Sequence, residues 1–220
     1  FMPVTKSRTG SNMQIRGLQR REKLLDAAIA LLGDKPIDDI SLSDIAERAA
    51  IPVGSAYHFY ANVNLVYAGL AQRFAEELNG ELSKPYTGSD AASWQAIVAA
   101  AVERAVTLYN SRPDYRQLII GGKAPAEIKL SDRANDEAIG QIIVDAIGQH
   151  FEPPEFPRRA EIFYYSVEIA DLIFTLAQIR EGIITSEMKV EAQRAMVAYL
   201  RSYLPEHLPP IVPADPQPIN

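Results

Sequence analysis

No cysteine occurs anywhere in the chain, which removes disulfides, thiolate nucleophiles and thiolate metal sites and fits a reducing cytoplasm. Histidine is scarce. His58, His150 and His207 are scattered with no H-x-x-x-H or H-E-x-x-H spacing, so no metal site is expected. There is no glycine-rich phosphate cradle; Gly121-Gly122 reads as a helix stop. No nucleophile–base pair stands out, so neither catalytic residues nor a cofactor is predicted. Period-two alternation and hairpin signals such as Asn-Gly are missing, which points to an all-α fold. No apolar run reads as long enough to span a bilayer, and the amino terminus lacks a secretory h-region. The expectation is a soluble, cytoplasmic protein with no membrane partner.

What is present begins with a core. A chain of 220 residues, 47% of them hydrophobic, fills one large domain or two small ones. Its 22 Lys+Arg against 28 Asp+Glu give a net charge of −6, which argues against a general nucleic-acid coat. The charge is uneven. Lys6, Arg8, Arg16, Arg20, Arg21 and Lys23 face a single acid, Glu22, near the start. Residues 1–18 form either a basic arm that neutralises phosphates or, up to about residue 14, a disordered leader.

The most specific stretch is Ser41 to Tyr60, SLSDIAERAAIPVGSAYHFY. Ser41 and Asp44 form a capping box, and Leu42, Ile45, Ala46 and Ala49 then make one apolar stripe on a short helix. Ala50-Ile51-Pro52 breaks it, and Pro52 suits the first turn of a second helix over Val53–Tyr60. That helix buries Ala56 and Phe59 and leaves Val53, Ser55, Tyr57 and His58 exposed. Two short helices with a small-residue second member are what reading a DNA major groove requires.

Around this pair, periodicity predicts a helix over Gln19–Leu32, with Leu24, Leu25, Ala28, Ile29 and Leu32 inward, and another over Asn62–Leu82. Ser83–Asp90 holds Pro, Gly and Ser and reads as the domain joint. Helices follow over Ala91–Asn110, Asp114–Ile120, Ser131–Phe151, Glu155–Glu181 and Ser186–Leu204, with Ser186 expected as an N-cap. The tail from Pro205 has six prolines in sixteen residues; it excludes helix and strand packing and is expected against the body or a partner subunit. The domains are thus an arm over 1–18, a head over 19–65, a helical body over 66–204 and a Pro-rich tail over 205–220.

The segments Arg21-x-x-Leu24-Leu25-x-Ala27-Ala28, Ile40-Ser41-Leu42-Ser43-Asp44-Ile45-Ala46 and Ile51-Pro52-Val53-Gly54-Ser55-Ala56-Tyr57-His58-Phe59 resemble the amino-terminal domain of the tetracycline-repressor (TetR) family. The resemblance covers about residues 19 to 70. It implies a bacterial, homodimeric transcription factor, most often a repressor. Such proteins bind double-stranded DNA and are released by a small-molecule effector held in a carboxy-terminal helical domain. Carried over by position, it implies phosphate contacts at Ser41, Tyr57 and His58, base-edge contacts at Pro52, Val53, Gly54 and Ser55, and further DNA contacts at Arg21, Ser43 and Asn62. Asn62 stands where the family usually has a phosphate-binding Lys, Ala50 where it has a turn glycine, and Pro36 where it has another glycine.

The helix Glu155–Glu181 is apolar nearly all round, so it is expected to bury two sides, and with the last helix to form a dimer bundle. Tyr164, Glu168 and Asp171 interrupt its apolar surface. They line either an effector cavity favouring cationic or hydrogen-bond-donating ligands, or a solvent stripe, or dimer hydrogen bonds. By the family analogy, Tyr67, Phe74, Trp94, Tyr109, Tyr115 and Phe163 are further cavity candidates, with plain core packing the alternative for each. An all-helical enzyme or carrier with a degenerate head, and a protein-interaction module, remain alternative functions.

Overall fold

The computed structural model describes residues 8–211, with side chains from Ile15 onward. Lys6, the side chain of Arg8 and the tail beyond Ile211 lie outside the described residues. Helix α1 spans Arg8–Asp34, α2 Leu42–Arg48, α3 Val53–Phe59 and α4 Val63–Leu82. Helix α5 spans Trp94–Ser111, and α6 is a short piece, Pro113–Tyr115, continued by a π-helical turn, Arg116–Ile120. Helices α7 (Ala126–Gly148), α8 (Arg159–Glu181) and α9 (Ser186–Leu200) complete the body. Among the described residues the one strand-like feature is an isolated antiparallel bridge, Phe151 to Pro210.

Several boundaries differ from expectation. α1 begins well before Gln19, because Leu18–Lys23 are good helix formers that propagate the helix outward with their side chains exposed. α7 starts at Ala126 rather than Ser131, because Pro125 sets the entering backbone at φ −57 and Glu127 complements the first turn. Thr185, not Ser186, caps α9: its hydroxyl accepts from the Met188 amide at 3.3 Å. Ser93 caps α5 by accepting from the Ala96 amide at 3.1 Å.

Ser83–Asp90 is a packed connection. Tyr86 is buried and donates its hydroxyl hydrogen to the Leu82 carbonyl at 2.9 Å. Arg104 lies over the Tyr86 ring at 3.9 Å and donates to the carbonyls of Lys84 and Pro85. One hydrophobic core therefore runs without a break from Leu24 in α1 to Leu208.

The tail is likewise held by its own chain as far as Ile211. The Trp94 indole donates to the Pro205 carbonyl at 2.9 Å, and Gln95 donates to that of Glu206 at 2.8 Å. The amide of Ile211 donates to the His150 carbonyl, and that of Glu152 to the Pro209 carbonyl, both at 2.9 Å. The isolated bridge does not extend into a strand, in keeping with the expectation for a proline-rich tail.

Helix α8 corrects the reading that no run is long enough to cross a bilayer. Its 23 residues include a window of mean hydropathy 1.4, enough by length and composition alone. Glu168 and Asp171 lie within that apolar stretch, and their two charges do not offset its aliphatic and aromatic residues. Here α8 packs between α7 and α9. At Gly140 of α7 a Cβ would sit 2.9 Å from the Tyr164 amide nitrogen, so only glycine permits this backbone approach.

Candidate nucleic-acid interface and body cavity

The Ser41 hydroxyl accepts from the Asp44 amide at 3.2 Å, and the Asp44 carboxylate accepts from the Ser41 amide at 2.8 Å, a complete capping box. These bonds, led by that from the Ser41 side chain, hold the Asp44 carboxyl below the ordinary carboxylate range. α2 ends in a Schellman motif: the Ile51 amide reaches the Ala46 carbonyl at 2.9 Å and the Ala50 amide the Glu47 carbonyl at 3.0 Å. Ala50 occupies the left-handed position at φ 53, where glycine avoids a Cβ clash.

α3 then emerges from Pro52 with only Ala56 fully buried. Ser41, Ser43, Pro52, Val53, Gly54, Tyr57 and His58 are exposed and Ser55 half-buried, spread over α2, the turn after it and α3. Tyr57 is 51% exposed and Val53 42%, too open for core residues. Phe59 is partly buried against the core, as its apolar character predicts. Arg21 of α1 is exposed and lies over the Tyr60 ring at 5.7 Å. Asn62 is the N-cap of α4, with its Oδ1 accepting from the Leu65 amide at 3.1 Å. That oxygen is committed to the helix, leaving only the side-chain NH₂ for other partners.

Between the head and the body lies a polar clamp with no sequence signature. The Gln117 amide donates to the carbonyls of Leu32 at 2.8 Å and Lys35 at 3.0 Å, while its oxygen accepts from the Ile37 amide. Tyr67 reaches the same loop, donating to the Ile37 carbonyl at 3.2 Å. Its burial, reinforced by Asp38, pushes its hydroxyl up to about 12. Lys123 pairs with Asp38 at 2.5 Å.

The body holds a narrow cavity of about 40 Å³ between α4, α5, α7, α8 and α9. Leu78, Val102, Tyr109, Ile139, Asp136 and Asp171 are among its lining residues. Of the residues expected there, Tyr109 and Asp171 line it. The others do not, each for a visible reason. Tyr67 belongs to the head–body clamp and Trp94 holds the tail. Phe74 stacks behind Tyr109 and against Tyr115 at ring distances of 4.8 and 4.5 Å. Tyr115 lies beneath Arg112 at 4.0 Å, and Phe163 is buried in the core. Glu168 is paired with Arg133, with Tyr164 beside them.

The sequence reading missed Asp132 and Asp136, four residues apart on α7, although an acid pair at helical spacing among Ile128, Ile139 and Ile143 was a usable signal. Burial, then the Glu168 charge, pushes the Asp171 carboxyl up to about 6. Asp132 and Asp136 are also pushed up, by burial first and then by neighbouring acids. The Tyr109 hydroxyl is raised well above its usual range by burial and by Asp132, Asp171 and Asp136. Oδ2 of Asp136 is buried without a hydrogen-bond partner.

A capped, exposed helix–turn–helix on an all-helical body defines a DNA-binding transcription regulator. The comparisons with known proteins agree. Residues 24–62 match the family described as bacterial regulatory proteins, tetR family, and residues 92–204 match the tetracyclin repressor-like C-terminal domain. The chain belongs to the TetR family, and its members are transcription regulators, not enzymes. It is 30% identical over 81 residues to the HTH-type transcriptional regulator AqdR of Rhodococcus erythropolis, covering 38% of that protein's length. A TetR-family regulator from Streptomyces coelicolor has a similar fold, with TM-score 0.66 at 21% identity over 84% of this chain and 98% of that one. SmeT, the repressor of the Stenotrophomonas maltophilia multidrug efflux pump SmeDEF, aligns with TM-score 0.62 at 16% identity over 91% and 97%. A SmeT–triclosan complex aligns with TM-score 0.60 at 17% identity over 92% and 99%.

Proposed function

We propose that this regulator is a cytoplasmic repressor that binds a palindromic operator as a homodimer and is released by a small molecule held in the body. The observation that carries this reading is the course of α4. One end of α4 adjoins the recognition helix α3 at Asn62, and the other contributes Leu78 and Leu82 to the cavity wall. A cavity of about 40 Å³ is far below the roughly 300 Å³ of a ligand-sized pocket, so binding must displace its helices. A displaced α4 carries the head with it, and the ligand thereby favours one of two head spacings.

In this reading Arg21, Ser41, Ser43, Tyr57 and His58 contact phosphates, and Pro52, Val53, Gly54 and Ser55 approach base edges. The head comprises residues 19–65 and the effector and dimerisation body residues 66–204. Leu172, Leu176 and Ile179 stand exposed along α8, with Val190 on α9 and Tyr203 beyond it. An apolar stripe of this extent on a soluble helical body supports a two-fold partner across the last two helices. The triclosan bound by SmeT supports a small-molecule effector for a fold of this kind.

Selection of duplexes from a random pool by the purified protein, repeated over a salt series, tests the reading. A palindrome with half-sites about 34–36 Å apart is expected, with retention falling as salt rises. Sequence-blind retention at every salt concentration overturns it.

A further inference from the structure

The body cavity is apolar on most of its wall and acidic at one place. Leu78, Val102 and Ile139 supply the apolar wall, and Asp136 and Asp171 reach it from two different helices, α7 and α8. Asp136 is 5% exposed and its Oδ2 has no hydrogen-bond partner, although buried carboxylates are normally paired. The cations nearby do not supply one. Arg133 is exposed and spent on Glu168 of α8, and Lys129, on the same helix as Asp136, makes no ion pair with Asp136 or Asp171 among the described residues. Asp132, one turn before Asp136 and outside the cavity lining, adds a third acidic charge that acts on Asp136, and Tyr109 of α5 lines the cavity beside them.

We propose that the cavity takes an amphipathic organic cation, with its apolar part against Leu78, Val102 and Ile139 and its charged nitrogen between Asp136 and Asp171. This rests on the reading of the body as an effector site and adds the chemical class of the effector. A cation supplies the missing partner of Asp136 and relieves repulsion between acids brought together from two helices. A neutral donor can hydrogen-bond Asp136 but leaves the charge of the two acids uncompensated, and an anion meets like charge. The raised Asp136 carboxyl agrees with this: it holds its proton in the empty cavity and releases it when a fixed positive charge arrives. Binding therefore tightens as pH rises.

A matched series with one carbon skeleton tests the charge preference: 2-phenylethylammonium, 2-phenylethanol and phenylacetate, titrated calorimetrically into the full chain near pH 8. The ammonium is expected to bind at least about tenfold more tightly than the alcohol, with phenylacetate weakest. Its binding releases protons, seen as a dependence of the heat on the buffer's ionisation enthalpy. Asp136→Asn and Asp171→Asn, which preserve shape, should each weaken the ammonium about tenfold and change the alcohol far less. Equal binding of the three compounds, no binding by any of them, or undiminished ammonium binding by both variants overturns the proposal. The titration contains no DNA, so its failure is separable from failure of the operator reading: a selected palindrome with no cation preference sinks only the cation.

Discussion

The Gln117 side-chain amide donates at 2.8 Å to the main-chain carbonyl of Leu32, tying the turn after α6 to the end of α1 across the head–body boundary. The same side chain accepts from the Ile37 amide and donates to Lys35, so one residue satisfies three main-chain groups at the end of α1 and in the loop before α2. The π-helical turn that presents it is closed by Gly121, where a Cβ would lie 2.1 Å from the Gln117 carbonyl oxygen. Gln117→Ala should lower stability by about 1–3 kcal/mol, since it strands part-buried backbone groups. It should also diminish the effect of a bound effector on DNA affinity. Denaturant unfolding and duplex titrations with and without effector check both outcomes.

Ala50 sits in a left-handed conformation that its Cβ disfavours. Ala50→Gly removes about 1–2 kcal/mol of strain and returns part of it through the freer unfolded chain. The expected result is a net gain of about 0.5–1 kcal/mol, seen as a higher Tm in a thermal melt.

Asn62→Lys separates two roles. Loss of the cap to Leu65 should cost about 1 kcal/mol of stability. If the new ammonium meets a phosphate, duplex affinity rises and the log–log salt slope steepens by about 0.9. Tyr57→Phe removes only an exposed hydroxyl, so stability should stay within about 0.5 kcal/mol while duplex binding weakens.

The acids of the body set a pH dependence. Asp132, Asp136 and Asp171 have raised values in the fold, against 3.8 ordinarily. Glu168, Tyr109, Lys129 and Arg133 are the other ionisable groups acting on them. Between about pH 4 and the raised values the folded chain holds more protons than the unfolded one, so stability falls with rising pH. The contribution is full below the ordinary carboxylate value and is lost as pH rises through about 6 for Asp171 and onward for the other two. Thermal melts of Asp136→Asn against the parent should diverge toward higher pH, with the variant the more stable.

Leu172 and Ile179 are 59% and 60% exposed on α8. Leu172→Glu in combination with Ile179→Glu should convert a dimer to a folded monomer, measured by sedimentation, because neither side chain supports its own subunit's core. Operator affinity should fall in parallel, as two linked heads become one.

The head was legible in the sequence because its determinants are local. Ser41 and Asp44 cap each other across three residues, and the stripe of Leu42, Ile45 and Ala46 lies within one helix. The cavity was only half legible. Asp171 interrupts an apolar helix and so stood out, but the Asp132–Asp136 pair gains its meaning from opposing Asp171 across two helices, a tertiary fact. The bulky aromatics stayed ambiguous for the same reason: Trp94, Phe74 and Tyr115 are large and apolar, which fits a core as well as a cavity, and partners such as Pro205 or Arg112 decide between them. Gln117 carries no signal at all. A lone glutamine is ordinary on any helix, and its role arises only where α6 meets the loop after α1.

The central claim is that two recognition helices act together on one operator. Its most direct test is an anisotropy titration of the selected duplex against the same duplex with one half-site scrambled, at two salt concentrations. The account predicts that scrambling weakens binding at least about tenfold and that doubling the salt weakens it further. Equal affinity for both duplexes, unmoved by salt, would contradict it.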